Sequence, residues 1–248
     1  SFIGSLYIDD FYDRIYGISS EATKKEMDEI TASAEGIWDG NDRIYGRLSE
    51  RATKELAGLC GFAYDDGNSF SMSPDDYLAA RLFARKLTNL ERIGIAGRLG
   101  GYDFRLYTNS IGLEIEGVDI WPALSYDEEL PKAYHLSKIN LNITLHSITS
   151  GIPLRVFDIM GVGGFMLSNY QPEIEEFFTI GKDIEVYKTI DELEEKVNYY
   201  LIHEDLRNKI AVNGYHTVSE KYNYEVAFNK MMEHLNENPV FGLEKSWQ

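Results

Sequence analysis

The sequence predicts an α/β chain: a mostly parallel sheet with helices on both faces, carrying a mainly helical insertion at about 20–98. Three observations lead there. After Gly100, short apolar runs alternate with helical patterns, the order that βαβ units produce. Ser150 to Asn169 reads as a glycine turn, a short helix, a second glycine turn and a buried strand. The chain also opens on an apolar run, Phe2 to Leu6, that reads as a first strand.

Taken in order, Glu21 to Leu59 is charged and weakly periodic, with helical spacing in Met27, Ile30, Ala34 and Ile37. Ser73-Pro74-Asp75-Asp76 is a helix start: an N-cap serine, proline at the first position and acids in the first turn. That helix runs through Leu78, Leu82, Phe83 and Leu87 toward Ile95 and ends at Gly100-Gly101. Strands are expected at Asp103 to Tyr107, Ile139 to Thr144, Phe165 to Ser168 and Ile184 to Val186. The first three should share one parallel sheet with Phe2 to Leu6. Helices follow at Ile190 to His203, Glu204 to Lys221 and Glu225 to Leu235, and residues 236–248 read as a loose tail. Asp13-Arg14-Ile15-Tyr16-Gly17 recurs at Asp42 to Gly46, each copy followed by Ser-Glu and then Ala-Thr-Lys. Two copies are too few for a solenoid, and no function attaches to them.

The 248 residues make one large domain or two small ones, and 44% hydrophobic residues can fill a core. A formal net charge of −17 argues against a nucleic-acid partner, whose phosphates need a basic face. It leaves room for a nucleotide, because one arginine and a helix terminus act locally. The single cysteine, Cys60, excludes an internal disulfide, fits a reducing, cytoplasmic setting, and is expected as a small buried side chain. No signal peptide and no apolar run of membrane length occurs. The start on a strand without an initiator methionine suggests a piece of a longer protein.

Ligands of parallel sheets bind beyond the carboxyl ends of the strands. Gly4-Ser5, Thr108-Asn109, Ser147 to Gly151 and the turn after Leu167 should therefore share one rim. In the 150–169 segment, Gly151 supplies the turn, and Pro153 suits the first helical turn. Leu154, Phe157, Ile159 and Met160 give the helix an apolar side, and Gly163-Gly164 stop it. A helix opening on a glycine turn offers free N–H groups and a positive dipole end to a phosphate. Arg155 adds a bidentate phosphate contact, and Asp158 can accept from a ribose hydroxyl pair. The candidate nucleotide contacts are Gly4, Ser5, Asn109, Ser147, Ser150, Gly151, Ile152, Leu154, Arg155 and Asp158. The plainer alternative is that glycine turns flank helices throughout α/β domains and that Asp158 only complements the dipole. His146 is the candidate catalytic group, but no paired acid is visible near it, and a rim histidine is the competing reading. No G-x-G-x-x-G follows a strand, since Ile3-Gly4-Ser5-Leu6 lacks the later glycines, which argues against a flavin or nicotinamide enzyme. No Asp-x-Asp pair occurs, so neither a metal nor a cofactor is expected.

The run Gly151 to Phe178, preceded by Ser137 to Asn142, resembles the C-terminal half of the CgeB-type (spore maturation) glycosyltransferases, bacterial relatives of the GT-B class. The likeness extends through Gly181-Lys182-Asp183, Arg207 and Gly214 to Tyr222-Asn223-Tyr224, and includes the opening Ser1 to Tyr7. It implies a Rossmann-like donor domain that holds a nucleoside diphosphate-sugar for transfer to an acceptor. It also implies an N-terminal acceptor domain outside this chain, so that the isolated chain would bind nucleotide and transfer little sugar. Two glutamates common in that class align with Ser150 and Asp158; the first is absent and the second survives as aspartate. Val118 to Tyr126 lies where relatives receive the base, with Tyr126 either stacking on it or belonging to the core. A sugar-nucleotide epimerase of the same fold and a non-catalytic Rossmann-like interaction domain are the alternative readings.

Overall fold

The computed structural model describes residues 1–62, 72–110, 112–148 and 151–237. Ser150 and nearly all of the 236–248 tail lie outside the described residues. Two three-stranded parallel sheets form the centre. One has the order β1 (Phe2–Ile3), β2 (Arg105–Thr108), β3 (Asp119–Pro122); the other is β4 (Asn140–Asn142), β5 (Met166–Asn169), β6 (Glu185–Tyr187). Phe2 pairs with Leu106 and Leu106 with Ile120; Asn140 pairs with Met166 and Leu167 with Glu185. The sheets meet edge to edge at Ser1, whose amine donates to the Ile139 carbonyl at 2.7 Å and whose carbonyl accepts from Leu141 N–H at 2.9 Å. The strand order is thus β3-β2-β1-β4-β5-β6, the doubly wound arrangement, with its switch point between β1 and β4. The expected single ladder is divided because β1 is only two residues long and pairs with β4 through Ser1 alone. Strand β3 has no counterpart among the sequence expectations: an edge strand of Asp-Ile-Trp-Pro shows neither alternation nor full burial.

Side-chain alternation along the strands sorts two cores onto the two faces. Leu106, Leu141, Leu167 and Tyr187 face one side, with Leu99, Leu193, Val197 and Tyr200. Met166 and Val186 face the other, with Tyr134, Val156, Ile159, Met160 and Val218. The covering helices are α5 (Ala84–Arg98) and α9 (Ile190–Ile202) on the first face, and α6 (Leu130–Leu136) and α7 (Leu154–Gly161) on the second; α10 (Glu204–Lys221) gives Ile210 and Ala211 to the first core and Val218 to the second. A short α8 (Ile174–Phe177) precedes β6, and α11 (Tyr224–Glu237) ends the described chain. Helix α7 buries Val156, Ile159 and Met160, whereas Leu154, expected on its apolar side, is 72% exposed. Leu154 is the first helical residue, one turn beyond the covered stripe.

Between β1 and β2 the chain is mainly helical, beginning at α1 (Phe11–Ile18), earlier than the expected start near 20. Helices α2 (Glu21–Ala34), α3 (Glu50–Leu59) and α4 (Pro74–Leu78), then a π-turn at Ala79–Phe83, lead into α5. These elements have a core of their own around Met27, Leu56, Leu78, Leu82 and Phe83. Ser73 caps α4 as its sequence predicts, accepting from Asp76 N–H at 3.1 Å. Cys60, the C-cap residue of α3, packs half-buried against that core rather than fully inside it.

The internal repeat has a structural use. Ser20 caps α2 and Ser49 caps α3. Glu55 of α3 accepts from Ser20 N–H at 2.6 Å, and Glu26 of α2 accepts from Ser49 N–H at 2.8 Å. Each helix therefore satisfies the entry of the other, with Arg51 bonded to both glutamates. Ile15 and Ile44, equivalent in the two copies, are both buried in the same core.

Candidate functional site

Because every strand pair is parallel, the carboxyl ends fall on one side. Gly4-Ser5 follow β1 and Asn109 follows β2; Thr144 to His146 follow β4, and Tyr170 follows β5. Helix α7 starts on this rim. Pro153 is its N-cap rather than a first-turn residue, and no side chain caps it. The first-turn amides of Leu154 and Arg155 are thus left to an outside acceptor. Gly151 turns the chain into that helix at φ +98°, a conformation that disfavours any side chain.

Arg155 leaves the second helical position and reaches back over β1. Its Nη1 donates to Asn142 Oδ1 at 3.2 Å, and its guanidinium carbon lies 5.3 Å from the centre of the Phe2 ring. Asn142 is itself fixed, donating to Thr144 Oγ1 at 3.0 Å and Ser168 Oγ at 2.9 Å. A second guanidinium, Arg92 of α5, lies 5.1 Å from the same ring and donates to the carbonyls of Ser5 and Ile143. Both arginines bond only neutral oxygens; among the described residues neither forms an ion pair. Arg92 is 4% exposed, and burial first, then the like charge of Arg155, pushes its pKa down to about 10. These two cations give the strand switch point a local positive field in a chain of net charge −17.

Gly4 is shaped to that pair. A Cβ placed on it would lie 2.8 Å from Arg155 Nη2 and 3.2 Å from Phe2 Cζ. The guanidinium is the far end of a flexible chain and can move aside, so Gly4→Ala is expected to fold normally while displacing Arg155. On the sequence expectation that Arg155 contacts a nucleotide, calorimetry should show nucleoside diphosphate affinity falling about tenfold, the loss of one hydrogen bond, with an unchanged melting temperature.

Asp158, in the second turn of α7, is half-buried and accepts from Tyr126 Oη at 2.9 Å. This bond raises the Tyr126 phenol pKa. Tyr126 is 60% exposed and so is not core. The loop after β3 therefore reaches Asp158 at the place expected for the base and ribose. Asn109 and Ser5 are exposed, and Ser5 Oγ accepts from Tyr7 N–H at 3.2 Å. Ile152 is packed against the second core, and the Ser147 carbonyl accepts from Tyr45 Oη at 3.3 Å. The structure thus gathers Gly4, Arg155 and Asn142 directly, with Asp158 one turn further along α7.

His146 does have an acid partner, contrary to the sequence expectation. Its Nε2 lies 2.6 Å from Glu91 Oε1. Glu91 belongs to α5, 55 residues earlier, and its side chain is fully buried, so no local spacing announces the pair. Burial raises the Glu91 pKa, opposed by the bond to His146. Glu91 also accepts from Gly36 N–H at 2.9 Å, and the His146 ring stacks on Trp38 with 6.2 Å between centres. Arg92 and Glu91 were missed from the sequence; the signal was a pair of charged residues inside an otherwise apolar helix face, Leu87 to Ile95.

Among the described residues no three His, Cys, Asp or Glu side chains gather to hold a metal ion, and no helix is long and apolar enough to cross a membrane. The chain is similar in fold to several solved structures at low identity. TarM is 14% identical with a TM-score of 0.45, over 58% of this chain and 32% of that one. The C-terminal domain of a group 1 family glycosyl transferase (LpcC) from Francisella tularensis is 18% identical, with a TM-score of 0.43 over 54% and 78%. A glycosyltransferase from Rickettsia africae is 13% identical, with a TM-score of 0.46 over 82% and 55%. The chain thus spans about a third of TarM and about half of the Rickettsia protein. No curated protein matches it. The profile of the glycosyl transferase-like family matches residues 80–233, more than half of the chain, from α5 with Glu91 and Arg92 through α11. The chain belongs to the glycosyl transferase-like family.

Proposed function

We propose that this chain is the donor-binding part of a GT-B glycosyltransferase of the CgeB type, holding a nucleoside diphosphate-sugar at the rim of its sheet. The observation that carries the reading is the Arg155–Phe2–Arg92 stack, two cations without a carboxylate partner, beside the uncapped start of α7. The diphosphate lies against Arg155 and the amides of Gly151, Ile152 and Leu154, and buried Arg92 adds its charge from behind. The ribose reaches Asp158, and the base lies along the loop that carries Tyr126. As the bond from sugar to phosphate breaks, charge grows on the leaving diphosphate. Fixed cations and amide dipoles stabilise that charge more than the ground state, which lowers the barrier. The acceptor is completed by a second domain outside this chain, so the chain alone binds donor and transfers little sugar.

Titration with UDP, GDP, dTDP and CDP tests the reading. One of them is expected to bind, with the same affinity in EDTA. Asp158→Asn should weaken that binding by about 1 kcal/mol, one or two hydrogen bonds being weakened rather than lost, and the 2′,3′-dideoxy nucleotide should lose a similar amount. Equal affinity for the dideoxy compound would remove Asp158 from the ribose. Failure of all four nucleotides to bind would remove the donor role.

A further inference from the structure

Beyond the ends of β4 and β5, bordered by His146, lies a cavity of about 270 Å³. It is walled by Trp38, Arg43 and Ile44 of the non-helical segment 37–44 and by Thr144, His146, Asn169 and Gln171 of the rim. The segment is held in place by Trp38 N–H, which donates to the Lys188 carbonyl at 2.8 Å. Among the described residues, three polar side-chain atoms of this wall are buried without a partner: Trp38 Nε1, Arg43 Nε and Gln171 Oε1. Trp38 and Gln171 are each 6% exposed. Two donors and an acceptor, all unused, mark a place where a ligand supplies hydroxyl groups. The wall does not favour an anion, because the Arg43 charge is already neutralised by Asp39 at 2.5 Å. The volume is at the small end for ligand sites and suits a single sugar ring.

His146 is the reactive group of this wall. Glu91 engages Nε2, the His146 backbone N–H is held by Thr88 Oγ1 at 3.2 Å, and Trp38 covers one ring face. Glu91 Oε1 already accepts from Gly36 N–H, and an acceptor oxygen there selects the tautomer that donates Nε2–H and keeps the lone pair on Nδ1. Glu91 and Arg92 are consecutive on α5, so one helix carries the acid behind the histidine and the cation at the anion site.

We propose that this cavity takes the hydroxylated acceptor, a sugar-sized unit, and that His146, oriented by Glu91, accepts the proton of the attacking hydroxyl. The proposal rests on the donor reading above. In the step, the acceptor O–H proton passes to His146 Nδ1 and the acceptor oxygen bonds to the anomeric carbon. The bond from that carbon to the diphosphate oxygen breaks, and its electron pair leaves on the diphosphate, which Arg155 and Arg92 stabilise. His146 then releases the proton to solvent. Glu91 touches no reactant and is a positioning residue.

Nitrogen-15 NMR of the full chain, saturated with the nucleotide that binds, tests this. The His146 ring is expected as the Nε2–H tautomer, and Glu91→Gln, which keeps the shape and removes the charge, should abolish that preference. Methyl glycosides of glucose, galactose and N-acetylglucosamine are then titrated to millimolar concentration. At least one should shift the Trp38 indole and His146 ring signals saturably, and Gln171→Ala should weaken it about tenfold, one hydrogen bond's worth, with nucleotide affinity unchanged. An Nδ1–H tautomer in the unaltered chain would overturn the base role. Nucleotide binding without any glycoside response would overturn the acceptor site and leave the donor reading standing. Shifts of these signals by the nucleotide itself, or its displacement by glycoside, would assign the cavity to the donor and overturn the proposal. If no nucleotide binds, the donor reading fails, and the proton-transfer step falls with it.

Discussion

Arg155→Ala is expected to weaken nucleoside diphosphate binding by about 1.5–3 kcal/mol, the range for a charge-assisted hydrogen bond, with little change in melting temperature. Arg155 is half-buried; its side-chain bond to Asn142 Oδ1 is neutral and long at 3.2 Å, and its other side-chain partner, the Tyr134 hydroxyl, is neutral too. Asn142 keeps its bonds to Thr144 and Ser168 when the guanidinium is removed. Removing Arg155 also relieves like-charge repulsion on buried Arg92, which offsets part of the stacking on Phe2 that is lost. Stability therefore changes little while the anion site loses one of its two cations. Isothermal calorimetry beside thermal melting separates the two effects. Unchanged affinity would make Arg155 a structural side chain, and a large fall in melting temperature would show that the stack serves the fold.

Gly214→Ala is expected to destabilise the fold by about 1–3 kcal/mol, the range for overpacking. Gly214 lies on α10 where that helix crosses α7 and the turn before β6. A Cβ there would lie 2.5 Å from the Asp183 carbonyl oxygen and 2.9 Å from Met160 Cε. The methionine can move, but the carbonyl belongs to a turn fixed by the bond from Asp183 N–H to the Thr179 carbonyl, at 2.9 Å. Relief requires α10 to lift from α7, which opens the core around Met160 and Val218. Gly94→Ala is the control. It stands exposed within α5 with nothing within 4 Å of the added Cβ, so the better helix propensity of alanine should raise stability by about 0.5–1 kcal/mol. Opposite shifts in melting temperature for the same substitution would locate the effect in the α10–α7 contact; equal shifts would deny it.

Candidate-site residues were legible in position where they are chain neighbours. Gly151, Pro153, Arg155 and Asp158 sit within eight positions, and local rules of turns, helix starts and dipoles place the first two in the entry to α7 and the last two on it, at the sheet rim. Strands β4 and β5 were legible for the same reason, as short apolar runs bounded by glycine and polar turns. The helix start at Ser73 was legible too, since the serine caps an amide three residues on; Ser20 and Ser49 cap α2 and α3 in the same way but were not singled out. Three features were decided only by tertiary structure. Strand β3 exists because β2 offers it an edge, not because Asp-Ile-Trp-Pro prefers to be extended. Asn142 orients Arg155 from a buried strand position that is tolerable only because Thr144, Ser168 and the guanidinium satisfy its amide. Glu91 and Arg92 come to His146 and to Arg155 from a helix 51 or more residues away, selected by how α5 packs on the sheet. A single sequence records which residues can form a turn, a cap or a strand, because those choices are made over a few bonds. It does not record which buried charge will meet which partner, because that is set by the packing of whole elements.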